Sequence, residues 1–292
     1  MRNEVRWERM FPDQLEAALA RCPVVYLTYG LCEPHGLYNA VGLDAVKVHS
    51  LACETARRHG GIVAPPFYWH IHEMGLEAPW ADGTIGDRNP WLTSLPPWVF
   101  YQCVWYQLRA AVERGFRAAV LLTGHMPYEH DLRRLSQLFM GHSHLRVWAG
   151  SDVELHDAET SDGHAGRYET SLLWAMHPDL VDRSRLEEGQ PADGVMAGSA
   201  GARSASRREG ELLVRAGVER LGAVVVALLH AAEDGEIVQS QRRMTIDEAE
   251  RLWRTEVSPV LPEFVSFQEP EGYGTVRDGS QWEANQRSVF YP

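Results

Sequence analysis

An α/β fold on a mainly parallel sheet is predicted by three features of the chain. Short apolar runs rich in β-branched residues alternate with longer stretches of helical periodicity. The runs are apolar along their whole length, as strands covered on both faces are. Polar and ionisable residues follow the runs directly, which is where open parallel sheets place their ligands.

The first strand is Val24-Val25-Tyr26-Leu27-Thr28-Tyr29, ending at Gly30. After a loop, Leu43, Val46, Leu51, Ala52 and Ala56 recur at helical spacing until Gly60-Gly61 closes the helix. Ile62-Val63-Ala64 reads as a second strand stopped by Pro65-Pro66. Phe67 to Pro97 is rich in Trp, Pro and Gly and lacks a period, so it is expected to form loops over a functional face. A helix from Trp98 to Arg114 precedes the clearest strand, Ala118 to Leu122, which runs into Thr123-Gly124-His125. A helix over about 128–140 and a strand from Leu145 to Ala149 continue the pattern. Val214, Val218, Leu221, Val225 and Leu228 make one apolar stripe, which predicts a long helix from the N-cap Ser206 to His230. Ile246 to Val257 is a further helix, followed by an aromatic, Pro-rich tail.

The chain has 292 residues, 45% of them hydrophobic, which is enough to bury a large core and excludes disorder. Its formal charge of −12 argues against nucleic acid and anionic membranes as partners. The longest apolar run, Gly222 to Leu229, is far short of a spanning helix. The start carries acids and lacks the apolar core of a signal peptide, and the four cysteines show no Cys-x-x-Cys pairing, so a cytoplasmic protein is expected. The 13 histidines are a surplus of the residue type that most often ligates metals and carries protons.

Three segments stand where chemistry is expected. Glu33-Pro34-His35 follows the first strand, and alternate residues of an extended loop can set carboxylate and imidazole side by side. Asp44 opens the next helix and can face the same strand end. Gly124-His125 and then His164-Ala165-Gly166-Arg167-Tyr168-Glu169-Thr170 complete the set. Mixed carboxylates and imidazoles suit zinc, manganese or iron, and one carboxylate can bridge two ions. Spacing alone leaves a second reading open: Glu-x-His arises by chance, and Asp44 would serve equally as a helix cap.

Val25 to Gly36, containing Gly30-Leu31-Cys32-Glu33-Pro34-His35-Gly36, followed by Gly42-Leu43-Asp44, resembles the opening of the creatininase family. Leu122-Thr123-Gly124-His125 is similar to that family's Asn-Gly-His segment, with Thr123 in place of Asn. His164 to Leu172 resembles its His-Ala-Gly-x-x-Glu-Thr-Ser motif, Pro178-Asp179-Leu180-Val181 continues the match, and Gly198 to Glu211 resembles its later Gly-rich element. The resemblance implies a three-layer α/β/α sandwich with a metal centre at the strand ends. It further implies an amidohydrolase that cleaves a C–N bond in a small, possibly cyclic amide by a hydroxide held on two divalent ions. By motif position Glu33 and His125 would hold one ion, His35 the other, and Asp44 both. The family Glu expected two residues beyond His125 is replaced by Pro127; Glu169 is the expected substitute, with Glu129 the alternative. His164 would carry protons.

The creatinine-cleaving enzyme has an aromatic and an acidic residue shortly before the histidine that matches His164, whereas the equivalent stretch here is Thr160-Ser161-Asp162-Gly163, so creatinine is a doubtful substrate. His70 and His72, with Trp69 and Trp80, are expected to line the pocket rather than to ligate, and His142 and His144 precede a strand at the opposite sheet end. A peptide-trimming hydrolase, marked by an open groove, and a non-catalytic metal-binding oligomer component are the competing readings. The resemblance also implies a homo-oligomer, with a hexamer as one form. A creatininase-like domain over 1–235 and a C-terminal extension over 236–292, packing on its own or a neighbouring subunit, are expected.

Overall fold

The computed structural model describes residues 4–75, 77–126, 128–157, 160–187, 195–234, 243–268 and 274–283. Four parallel strands, β1 (Val24–Tyr29), β2 (Ile62–Val63), β5 (Ala118–Thr123) and β6 (Arg146–Ser151), form one sheet in the order β2-β1-β5-β6. Every residue of β1 and β5 is buried, which is why these strands read as unbroken apolar runs. Tyr29, Thr123 and Ser151 lie level, so the three strands end together and their following loops meet.

Alternate strand residues divide the core into two layers. Val25, Leu27, Tyr29, Ala119 and Leu121 face α4 (Pro97–Glu113) and α5 (Glu129–Met140). Val24, Tyr26, Ala118, Val120 and Leu122 face α2 (Leu43–His59) and α8 (Arg207–Asp234). Helices on both faces of a parallel sheet make the three-layer α/β/α sandwich that the sequence predicts. Segment 243–268, beginning with α9 (Ile246–Leu252), packs outside α4 and α5. Trp105 donates to the Ala249 carbonyl, and the Asp131 carboxylate accepts from Tyr101 and from the Val265 and Ser266 amides. Among the described residues, no helix is long and apolar enough to cross a membrane.

Three elements depart from the sequence reading. α1 (Pro12–Arg21) precedes the first strand and lays a short stripe of Leu15, Ala18 and Leu19 on the core, a helical spacing that the sequence reading did not take up. The expected loop over 67–97 contains β3 (His70–Ile71), β4 (Ser94–Leu95) and α3 (Glu77–Thr84). The buried face of α3 consists mainly of Ala78, Pro79 and Ala81, too small to give a hydrophobic period. Finally, the His-Ala-Gly motif leads into α6 (Arg167–Met176), which buries Tyr168, Leu172 and Leu173 on its apolar side and Glu169, Thr170 and Ser171 beside them.

Candidate metal centre

The loop after β1 carries Glu33 and His35, the first turn of α2 carries Asp44, the residue after Gly124 is His125, and the first turn of α6 carries Glu169. Two glycines allow these pieces to converge. A Cβ on Gly124 would stand 2.2 Å from the Asp44 carbonyl oxygen, and one on Gly30 would stand 2.4 Å from the Ala45 nitrogen. Only a residue without a side chain lets both strand ends close on the start of α2. Thr123 fixes the second loop: its hydroxyl donates to the His125 carbonyl at 2.6 Å and accepts from the His125 amide at 3.1 Å. Ahead of α6, Ala165 adopts φ +52°, a left-handed conformation unusual for alanine. Its amide donates to Glu169 Oε2 at 2.7 Å, so this strained residue helps orient the carboxylate.

The side chains form two donor triads that share Asp44. In one, His125 Nδ1 lies 3.0 Å from Glu33 Oε1 and 3.4 Å from Asp44 Oδ2. In the other, His35 Nε2 lies 3.2 Å from Asp44 Oδ1 and 3.7 Å from Glu169 Oε2. A third grouping, Glu33, His35 and His164, overlaps both. Each triad's donor atoms lie within 4.8 Å of one another. All five side chains of the two triads are buried.

The donors point at one another in a way that hydrogen bonding does not satisfy. His35 Nδ1 lies 3.1 Å from the Glu33 carbonyl oxygen, which can only accept, so Nδ1 carries a hydrogen and Nε2 is the nitrogen left facing the carboxylates. His35 Nε2, Asp44 Oδ2 and His125 Nε2 are buried without hydrogen-bond partners. Buried orphan donors of this kind are costly unless a cation binds between them. The electrostatics agree. Burial opposes a charge on His35, but Asp44, Glu169 and Glu33 raise its pKa to about 9. Burial likewise opposes the Glu33 charge, yet His125, by its charge and its hydrogen bond, holds the Glu33 pKa well below the usual carboxylate range. The chemistry of these donor residues fits divalent metal.

Two buried residues of this centre were not identified from the sequence. Lys47, one turn beyond Asp44, forms an ion pair with Glu169 and lies 3.7 Å from Asp44 and 3.5 Å from Asp152. Burial disfavours its charge, but Asp152, Glu169 and Asp44 keep it protonated. Asp152, directly after β6, accepts from the Tyr168 hydroxyl at 3.1 Å, and burial pushes its pKa up to about 6. The rule that ligands gather at strand ends, applied to β6, would have pointed to Asp152. Lys47 sits on the buried side of α2, where a lysine is rare unless paired.

His72 belongs to none of the three groupings. Its Nδ1 accepts from the Glu73 amide at 2.7 Å, so Nε2 carries the hydrogen and donates to Glu33 Oε2 at 3.2 Å. His70 Nδ1 accepts from the Ile71 amide in the same way, and burial and the neighbouring His125 keep this ring neutral. Glu129 opens α5 and is absent from the donor groupings; its carboxylate meets His130 at 3.9 Å. Pro127 lies outside the described residues. His142 and His144 precede β6, at the sheet end away from the triads.

His164 stacks on His35 with ring centroids 4.2 Å apart. Its Nε2 donates to the Pro34 carbonyl at 2.8 Å, leaving Nδ1 with a lone pair 4.0 Å from Glu33 Oε1. Burial and the charge of His35 lower its pKa. A cavity of about 220 Å³ opens above the triads, lined by Glu77 and Trp80 of α3 and by Met126, Val153, Ser161 and His164.

A family profile described as "Creatininase: Creatinine amidohydrolase" matches residues 8–225. The creatinine amidohydrolase of Pseudomonas putida is 24% identical over 258 residues, covering 76% of this chain and 95% of that enzyme. A creatininase mutant solved in a Zn–Zn type is 22% identical and superposes with a TM-score of 0.59, covering 77% of this chain and 98% of the other. A creatininase described as the Mn form is 23% identical, with a TM-score of 0.56 and the same coverage of 77% and 98%. The profile spans most of the chain and takes in the β1 loop, the β5 loop and the His164 motif that build the two triads, so the chain belongs to the creatininase family of amidohydrolases.

Proposed function

We propose that the protein hydrolyses a C–N bond in a small amide, with Glu33, Asp44 and His125 holding one divalent ion and His35, Asp44 and Glu169 the other. The observation that carries this reading is the meeting of two buried triads at one carboxylate. Divalent ions in such a setting polarise a carbonyl and lower the pKa of water toward about 7. Related creatininases are solved in Zn–Zn and Mn forms, which names the metals to try first.

The chain's own residues supply orientation and proton movement. Lys47 offsets part of the charge of Asp44, Asp152 and Glu169, so these carboxylates can stand together in a buried site. His72 holds the second oxygen of Glu33, leaving Oε1 toward His125. His164 is neutral at ordinary pH and presents its Nδ1 lone pair near Glu33, so it can accept a proton there and return it to the departing nitrogen. The cavity of about 220 Å³ suits a lactam, cyclic imide or formamide better than a peptide chain.

Elemental analysis of protein purified without chelator tests the first half of the reading. Close to two equivalents of transition metal are expected, and fewer than about half an equivalent would overturn it. Assay of the metal-loaded enzyme against lactams, hydantoins and N-formyl compounds tests the second half.

A further inference from the structure

The wall helix α3 is poorly equipped to hold itself in place. It is short, contains Pro79 and Gly83, and the apolar side chains that it buries are only the small Ala78, Pro79 and Ala81. Yet it carries Glu77 and Trp80 into the cavity, and the Trp80 ring meets His164 edge-on at 5.0 Å and His72 at 5.7 Å.

Its other face is covered by a segment from the far end of the chain. Residues 274–283 lie across α3, placing Val276 and Trp282 in one cluster with Ala78, Ala81 and Ile85; Trp282 is 1% exposed. Asp82 of α3 is bound by the Arg277 guanidinium at 2.7 Å, the Arg277 amide at 2.9 Å and the Ser280 hydroxyl at 2.7 Å. Trp282 Nε1 donates to the Gly86 carbonyl at 2.9 Å, and Gln281 Nε2 to the Gly86 and Arg88 carbonyls at 2.7 and 2.9 Å. Asp82 and Arg277 are 195 positions apart, and the segment lies beyond residue 225, where the family match ends.

We propose that segment 274–283 is a strap that sets the position of Trp80 and Glu77, making Asp82, Arg277 and Trp282 positioning residues for substrate selection. The strap touches neither triad. It fixes the height of the wall above His164 and so decides which small amides fit. The metals are held from the sheet side and do not depend on it. This inference rests on the amidohydrolase reading for its consequence in turnover, but not for the hold on the wall.

The test uses the metal-loaded full-length chain and two variants, Arg277→Ala at an exposed side chain and Trp282→Phe in the buried anchor. Amide hydrogen exchange is followed in peptides covering 77–84, β1 and β5. Exchange in 77–84 is expected to quicken about tenfold in both variants while β1, β5 and metal content stay as in the parent. Against the best amide of the panel, KM is expected to rise about tenfold with kcat within about twofold, and Arg277→Lys to recover most of the loss. Unchanged exchange in 77–84 would overturn the proposal, as would a fall in kcat at constant KM or a loss of metal. If no amide is turned over, the functional reading fails, and the exchange experiment still decides whether the strap holds the wall.

Discussion

The floor of the cavity stands on the ends of β1 and β5 and the first turns of α2 and α6, all inside the sandwich and all nearly inaccessible to solvent. Its wall, α3, stands outside the sheet and is backed by a strap from the C-terminal end of the chain. The floor's loops are pinned to the core, because Gly30 and Gly124 close directly on the start of α2. The wall rests instead on the packing of Val276 and Trp282, on the Arg277 and Ser280 contacts to Asp82 and on hydrogen bonds from Gln281 and Trp282, all from one distant segment.

The heaviest blow to the floor is Asp44→Asn, because this carboxylate belongs to both triads. Removing even a supporting residue of a metal site costs about 10–100-fold in affinity, so a shared ligand should cost at least about 10²-fold at each ion. Elemental analysis should find the variant nearly empty while its circular dichroism matches the parent. Full metal retention would mean that the two triads do not act as one centre.

Lys47→Met tests the same region from below. It would leave Asp44, Asp152 and Glu169 facing one another without their buried cation, at a cost of about 3–5 kcal/mol. Urea unfolding in the presence of chelator should show this loss, and added Zn or Mn should recover part of it by supplying positive charge to the same carboxylates. Equal stability of variant and parent in chelator would remove Lys47 from the centre.

These residues also mark how far the sequence could be read. The strands were legible because burial on both faces makes them uniformly apolar, and Glu33, His35, Asp44 and His125 were legible because a local motif carries each beside a strand end. The choice of Glu169 over Glu129 came from resemblance, and the geometry places Glu169 opposite His35. Lys47 was not found, because a lysine on a helix reads as solvent-facing until its partners on β6 and α6 are known. The strap was beyond reach for a related reason. Nothing near Asp82 announces Arg277, and a helix whose buried apolar residues are Ala78, Pro79 and Ala81 shows no period. Contacts set by distant pairing leave no local trace.

A smaller effect separates support from ligation. His72→Gln keeps a donor but shortens its reach to Glu33 Oε2, and metal affinity should fall by about 10–100-fold with the fold unchanged. Competition with a chelator of known affinity measures it. A loss as deep as that of Asp44→Asn would instead make His72 a ligand.

The slightest change is expected at the wall, and pH resolves it. Hydrogen bonds from Arg277 hold the Asp82 pKa down to about 2, against an ordinary value of 3.8. The folded value lies below the unfolded one, so the carboxylate stabilises the strap fully above the unfolded pKa and ceases to do so as pH falls through about 2. Asp82→Asn should therefore melt a little below the parent at neutral pH, with a gap that is flat down to the ordinary carboxylate range and then narrows in acid. Because Arg277 is partly exposed, salt should narrow the same gap at neutral pH. A gap indifferent to both pH and salt would show that the wall is held by the apolar packing of Val276 and Trp282 alone. The floor variant Asp44→Asn would still lose its metal, so the two regions can be broken independently of one another.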